Sequence, residues 1–278
     1  LNNEHYISAI KDPSKRKLVA YFLVQWKTHV IDQLPFLRRQ IVHNDANDHN
    51  VLEQNGLVSG LIDFGDMVYS YLINEVAVSA AYMAMGKEKP IEAITQMISA
   101  YHQVFPLQKN EIDLLYYFIA TRLCTSVLNS AHSAAQKPDS AYITVSESDA
   151  WSLLKKWISI NPIYTQQKWR VAIGLEIPEE QELQQQEEHL RQRRDQTMSK
   201  ALSLSYRRPI HMKQAAFQYM YDASGHAILD AYNNIIQVGH CHPTVVRAGQ
   251  KAMAQLNTNT RYIYEALPRY TEHLLKYF

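Results

Sequence analysis

Behind Asp12-Pro13, the apolar residues Leu18, Phe22, Trp26 and Val30 recur every four positions, the period of one helix face. Asp12 and Pro13 occupy the places of an N-cap and a first helical residue. Over residues 40–63 the pattern shortens to Ile41-Val42, Val51-Leu52 and an apolar run from Leu57 to Ile62, set around a polar loop and an Asn55-Gly56 turn. That pattern predicts a small β-hairpin displaying loops. Helical periodicity returns over 73–85, 91–104, 111–130 and 147–160, with Pro90 at a first helical position and Asn110 and Ser146 as expected N-caps. The first part of the chain is therefore expected to be mostly helical.

The character changes over residues 178–194, where Gln, Glu and Arg dominate with little apolar periodicity, the pattern of a solvated helix or a linker. Past it, Phe217-Gln-Tyr-Met-Tyr-Asp222 and Ala227-Ile-Leu-Asp230 flank Ser224-Gly225 as a strand pair, and Pro243 opens a helix to about Leu256. Thr271-Glu-His-Leu-Leu-Lys-Tyr-Phe278 reads as an unfinished amphipathic helix, and the chain starts at Leu1. The expectation is a piece of a longer polypeptide with two domains: 1–165, then a polar linker or helix over 166–205, then an incomplete domain over 206–278.

Composition narrows the function. With 20% charged residues and a net charge of +1, the chain carries no broad basic field, which argues against a dedicated nucleic-acid binder. The two cysteines, Cys124 and Cys241, are too far apart to suggest a disulfide framework or a zinc site, and a reducing, cytoplasmic setting is expected. The longest apolar stretch, 69–86, contains Asn74 and Glu75 and reads as a buried helix rather than a membrane span.

The chemistry concentrates in His43-Asn-Asp45-Ala-Asn-Asp-His-Asn50, followed after the hairpin by Ile62-Asp63-Phe64-Gly65-Asp66. Phosphoryl transfer from ATP needs a carboxylate to orient and deprotonate the attacking hydroxyl, and oxygen ligands to hold magnesium on the phosphates. Asp45 is the candidate base; the amide oxygen of Asn50 and the carboxylate of Asp63 are the candidate magnesium ligands. His43 is read as a brace for the loop. Taken singly, each of these residues also fits ordinary turn chemistry.

This stretch resembles the phosphotransferase family of aminoglycoside, choline and hydroxylysine kinases, over about residues 1–160. Ile62-Asp-Phe-Gly-Asp-Met-Val-Tyr-Ser-Tyr71 with Glu75-Val-Ala77 is most similar to the hydroxylysine branch. The resemblance implies an α+β, mostly helical fold, the C-terminal lobe of a protein-kinase-like architecture. It also implies ATP with Mg2+, and a small amino alcohol as acceptor. Asn44 stands where these kinases usually carry glycine. No glycine-rich strand pair and no ATP-pairing lysine precede Pro13, so a nucleotide-covering lobe is not part of this chain, which alone is expected to be a poor kinase. Asp66 and Glu75 are the nearest carboxylates for a cationic acceptor. Glu75 could equally pair with a basic residue or cap a helix, and Asp66 could shape the Asp63 loop.

Tyr221-Asp-Ala-Ser-Gly-His-Ala-Ile-Leu-Asp230, Gly239-His-Cys-His-Pro243 and Leu256-Asn-Thr-Asn-Thr-Arg-Tyr262 resemble the opening of class III aminotransferases, fold-type I enzymes that use pyridoxal phosphate, in the branch that includes phospholyases. The Schiff-base lysine and the carboxylate facing the cofactor ring come later in that family, so no pyridoxal-phosphate-binding residue is assigned here. Enzymes of this class are usually dimers, which implies a homodimer through that domain. His240-Cys241-His242 has metal-binding residue types, but adjacent positions wrap one tetrahedral ion poorly, so a strand end leading into a helix is the preferred reading. The halves connect chemically. Phosphorylating a hydroxyl one carbon from an amine-bearing carbon creates a leaving group that a pyridoxal enzyme can expel. A kinase–lyase fusion is thus one expectation; a kinase-like scaffold for a pyridoxal enzyme, and a transaminase outcome, are the others.

Overall fold

The computed structural model describes residues 4–136, 147–232 and 237–278. The proposed cap at Ser146 lies outside them. The α+β, mostly helical class is what the chain adopts, in the order α1 (Pro13–His29), β1 (Arg39–Val42), β2 (Val51–Gln54), β3 (Leu57–Leu61), β4 (Val68–Tyr71), α2 (Leu72–Ala84), α3 (Pro90–Val104), α4 (Lys109–Gln136), α5 (Glu147–Trp157), α6 (Pro162–Ala172) and α7 (Glu180–Thr197). Then come β5 (Met212–Ala216), β6 (Tyr219–Asp222), β7 (Ala227–Leu229), α8 (Pro243–Gln255) and α9 (Ala266–Leu274).

Helix α1 begins as its sequence dictates, with the Asp12 carboxylate accepting from the backbone N–H groups of Ser14 and Lys15. Its apolar face lies on α4, the long central helix that also packs against α2, α5 and α6. Asn110 does not cap α4, which starts one residue earlier; the Glu111 side chain reaches back to accept from Gln108 N–H at 2.7 Å, while the Asn110 amide donates to Phe36 C=O. The apolar stretch at 69–86 is also corrected at its start, because Val68–Tyr71 pairs antiparallel with β1, Val42 opposite Val68 and Arg39 opposite Tyr71, before α2 begins. The predicted hairpin is present as β2–β3, turned by Asn55 (φ 57°) and Gly56 (φ 79°).

Helix α6 was not anticipated. Asn161 caps it through Ile163 N–H, Pro162 opens it, and Trp169 is fully buried against the helical core. Arg170 holds Asp113 of α4 with two bonds of 2.6 and 2.7 Å. The boundary expected at 165 therefore falls inside a packed helix. By contrast α7 buries none of its residues, matching its polar sequence.

The strand pair expected over 217–230 exists, with β5 added on its other side, giving the order β5-β6-β7. This sheet is continuous with the helical core: Ala216, Phe217 and Tyr221 join the same buried cluster as Phe22, Leu115 and Trp157. The Phe217 ring lies 5.1 Å from that of Tyr21. Tyr221 Oη donates to Ile158 C=O, and the Asn161 amide donates to the carbonyls of Asp222 and His226 at 3.1 and 2.8 Å. Both cysteines are free thiols; burial pushes Cys124 far above its usual range and Cys241 upward as well. Among the described residues no helix is long and apolar enough to cross a membrane.

Candidate active site

The β1–β4 ribbon carries the polar loop out of Val42 and receives the chain back after the hairpin. His43 is buried, and its Nε2 lies 2.9 Å from Ile62 C=O while its ring meets Phe64 edge-on at 5.2 Å. The loop's outgoing and returning arms are thus pinned together by the residue read as a brace. A second tie joins them where Ile62 N–H donates to Asn50 C=O. Asn50 and Asp63, thirteen positions apart in the chain, are in this way held on adjoining backbone.

Asn44 has φ 66°, in the left-handed region where glycine is free and asparagine is among the best-tolerated alternatives. That backbone requirement accounts for a position where either residue serves. Its N–H donates to Glu75 Oε2 at 2.9 Å, so Glu75, in the first turn of α2, holds the loop from below. Ser79 of the same helix donates to Ala46 C=O at 3.3 Å.

Asp45 lies at the centre. Its Oδ2 accepts from the amides of Asn47 (3.0 Å) and Asn50 (3.2 Å), and its backbone carbonyl accepts from Asn50 Nδ2 at 2.9 Å. Asn50 therefore spends its amide nitrogen on Asp45, leaving its amide oxygen for the ligand role expected of it. Asp63 is exposed at φ 61°, with its carboxylate beside Gly65. Asp66 is exposed at the end of the same short turn. An amide oxygen and a carboxylate are hard ligands suited to Mg2+, which usually completes its shell with phosphate and water. Among the described residues no group of three or more His, Cys, Asp and Glu forms a metal cage. His240 instead meets Asp230 at 2.7 Å, and His242 caps α8 through Thr244 N–H.

One residue of this site escaped sequence reasoning. Arg122 of α4 donates from Nη2 to Asp45 Oδ1 at 2.7 Å and to Tyr82 Oη at 3.1 Å. The available signal is a charge within the apolar run Phe118-Ile-Ala-Thr-Arg-Leu-Cys124, because such a residue is seldom placed on a core helix without a partner. Around the loop the surface is unusually apolar: Ile41, Leu57, Val58, Phe64 and Tyr69 are all exposed.

Residues 3–109 match the phosphotransferase enzyme family. The chain is 28% identical over 176 residues to hydroxylysine kinase of Mus musculus, covering 60% of this chain and 47% of that protein. It is 44% identical over 75 residues to the alanine–glyoxylate aminotransferase 2-like protein of Drosophila melanogaster, 27% of this chain and 15% of that one. Ethanolamine-phosphate phospho-lyase homolog 1 of Caenorhabditis elegans is 34% identical over 94 residues, 34% of this chain and 20% of that protein. The chain spans less than half the length of the curated hydroxylysine kinases it matches.

Proposed function

We propose, from a chain whose residues 3–109 match the phosphotransferase enzyme family, that the whole protein uses ATP to phosphorylate the hydroxyl of a small, hydroxylysine-like amino alcohol. The observation that carries this reading is one loop geometry. Asn50 bonds to both the backbone and the carboxylate of Asp45 while its own backbone is paired to the residue before Asp63. Asp45 takes the hydroxyl proton as the hydroxyl oxygen attacks the γ-phosphorus, and the bond to the β-phosphate oxygen breaks to release ADP. Asn50 and Asp63 would hold Mg2+, which supplies positive charge against the phosphates. The exposed apolar residues beside the loop suit a nucleotide and a covering lobe.

In the same proposal the segment from β5 onward opens a pyridoxal-phosphate domain, which eliminates the phosphate that the kinase installs. Similarity to a phospho-lyase homolog supports that pairing. A second reading, in which the kinase-like lobe only scaffolds the pyridoxal enzyme, draws on Phe217 and Tyr221 lying in the helical core.

ATP consumption by the full-length protein with hydroxylysine, ethanolamine, choline and an aminoglycoside separates the two. Turnover with one acceptor, reduced at least about a hundredfold in Asp45→Asn, is expected, since general-base catalysis contributes on the order of 10²–10⁴. Absence of turnover with all four, in a protein that still binds Mg–ATP, would favour the scaffold.

A further inference from the structure

Helices α1 and α8 meet at an open cleft of about 470 Å³, lined by Arg16 and Lys17 on one side and by His242, Thr244 and Arg247 on the other, a size suited to a small molecule. None of its three cations has an ion pair among the described residues. Lys17 Nζ instead lies over the Phe217 ring, 4.6 Å from its centre. Asp12, the nearest carboxylate along α1, is occupied by the N–H groups of Ser14 and Lys15 and by the Ser14 hydroxyl. Three like charges around one cleft repel one another, a cost that a chain with 28 basic and 27 acidic residues had the means to avoid.

His242 reports the same imbalance. Its Nδ1 accepts from Thr244 N–H at 3.3 Å, which leaves the ring proton on Nε2 as a donor. Burial, and then the charges of Lys17 and Arg247, hold this imidazole below its usual range, so it stays neutral at pH 7.

The donors define the anion that completes the cleft. A carboxylate brings too little charge to balance three cations. A phosphate monoester carries about two charges at neutral pH and presents several strong acceptor oxygens, enough for two guanidinium forks and an ammonium. The cleft also joins a helix of the matched phosphotransferase residues to a helix of the segment read above as the opening of a pyridoxal-phosphate domain. A compound passed between those two activities carries such a phosphate.

We propose that Arg16, Lys17 and Arg247 bind the phosphate group of a small phosphomonoester in this cleft, at a site apart from Asp45, Asn50 and Asp63. The site and its ligand class stand without the kinase reading; that reading supplies only the identity of the ester, the product of the kinase itself.

The test follows acetylation of Lys17 in the full-length protein by mass spectrometry, with Lys251, on α8 outside the cleft, as the reference. Phosphocholine is the probe, because its quaternary nitrogen neither consumes the reagent nor lets a pyridoxal enzyme turn it over. Choline, inorganic phosphate, and sodium chloride at equal ionic strength are the comparisons. The rate falls with one plus the ratio of probe concentration to Kd, so phosphocholine at about four times Kd should slow Lys17 about fivefold relative to Lys251. Choline and sodium chloride should leave the ratio unchanged. Arg247→Gln, an exposed substitution, should raise the phosphocholine concentration needed about tenfold, the worth of a charged hydrogen bond. Equal slowing by sodium chloride would overturn the proposal, reducing the cleft to a screened basic patch, and so would unaltered protection in Arg247→Gln. Protection by inorganic phosphate without protection by phosphocholine would overturn the ester and assign the cleft to the free ion. No step here depends on ATP turnover, so a failure of the kinase reading is seen separately.

Discussion

Glu111 is charged and wholly buried, and it persists there because three donors converge on it: Arg38 Nε at 2.9 Å, Arg38 Nη2 at 2.6 Å and Gln108 N–H at 2.7 Å. Arg38 directly precedes β1 and its carbonyl accepts from Leu72 N–H, so this pair fastens the root of the ribbon that carries the candidate site to α4. Glu111→Ala leaves a guanidinium without its counterion and should destabilise the protein by about 3–5 kcal/mol in chemical denaturation; a loss below about 1 kcal/mol would show that the pair anchors nothing. Such residues mark the limit of sequence reading. Asp45, Asn50, Asp63 and His43 were legible because their spacing is local and typical of one chemistry. Glu111 and Arg122 act on partners 73 and 77 positions away, and no local period encodes that pairing.

Among the elements, α1 and the hairpin follow directly from their signals, since a cap, a proline and a turn dipeptide leave the backbone few alternatives. Strand β4 was hidden because it runs without a break into the apolar residues of α2. Helix α6 has a short signal of its own, Asn161-Pro162, a cap followed by a helix-starting proline, with Trp169 facing inward, but too few apolar positions between them to set a period. Asn161 does two jobs, capping α6 with its oxygen and tying the end of β6 to the turn before β7 with its nitrogen. Asn161→Ala should cost about 2–4 kcal/mol, combining a lost cap with unpaired buried carbonyls. Asn161→Asp should cost at least as much, although aspartate caps helices well, because its carboxylate faces two carbonyl oxygens. Thermal and denaturant unfolding of both variants checks the order; an aspartate variant as stable as the parent would mean that the strand contacts carry no weight.

At the scale of the whole molecule, the sequence divides more sharply than the structure does. Composition marks α7 as a solvated segment, and it is one, yet the strands beyond it return to the core that the segment seemed to leave. Burial raises the Tyr117 hydroxyl to about 12, and that group donates to Gln214 of β5 across the same seam. Trypsin should cut the exposed α7 at Arg191, Arg193 or Arg194, and the two fragments should co-elute in native size-exclusion chromatography and separate only in denaturant. Separation without denaturant would show that the seam is too weak to hold them.

Phe217 is held with φ 50° against Gly239, where a Cβ would come within 2.8 Å of the Phe217 backbone. Its ring fills a place beside Tyr21 that the helices alone leave open. Excising the kinase-like lobe at the compositional break would thus bare an apolar wound on α1 and α4, and the practical limit of an autonomous fragment lies beyond Gly239, well inside what the sequence presents as the neighbouring enzyme.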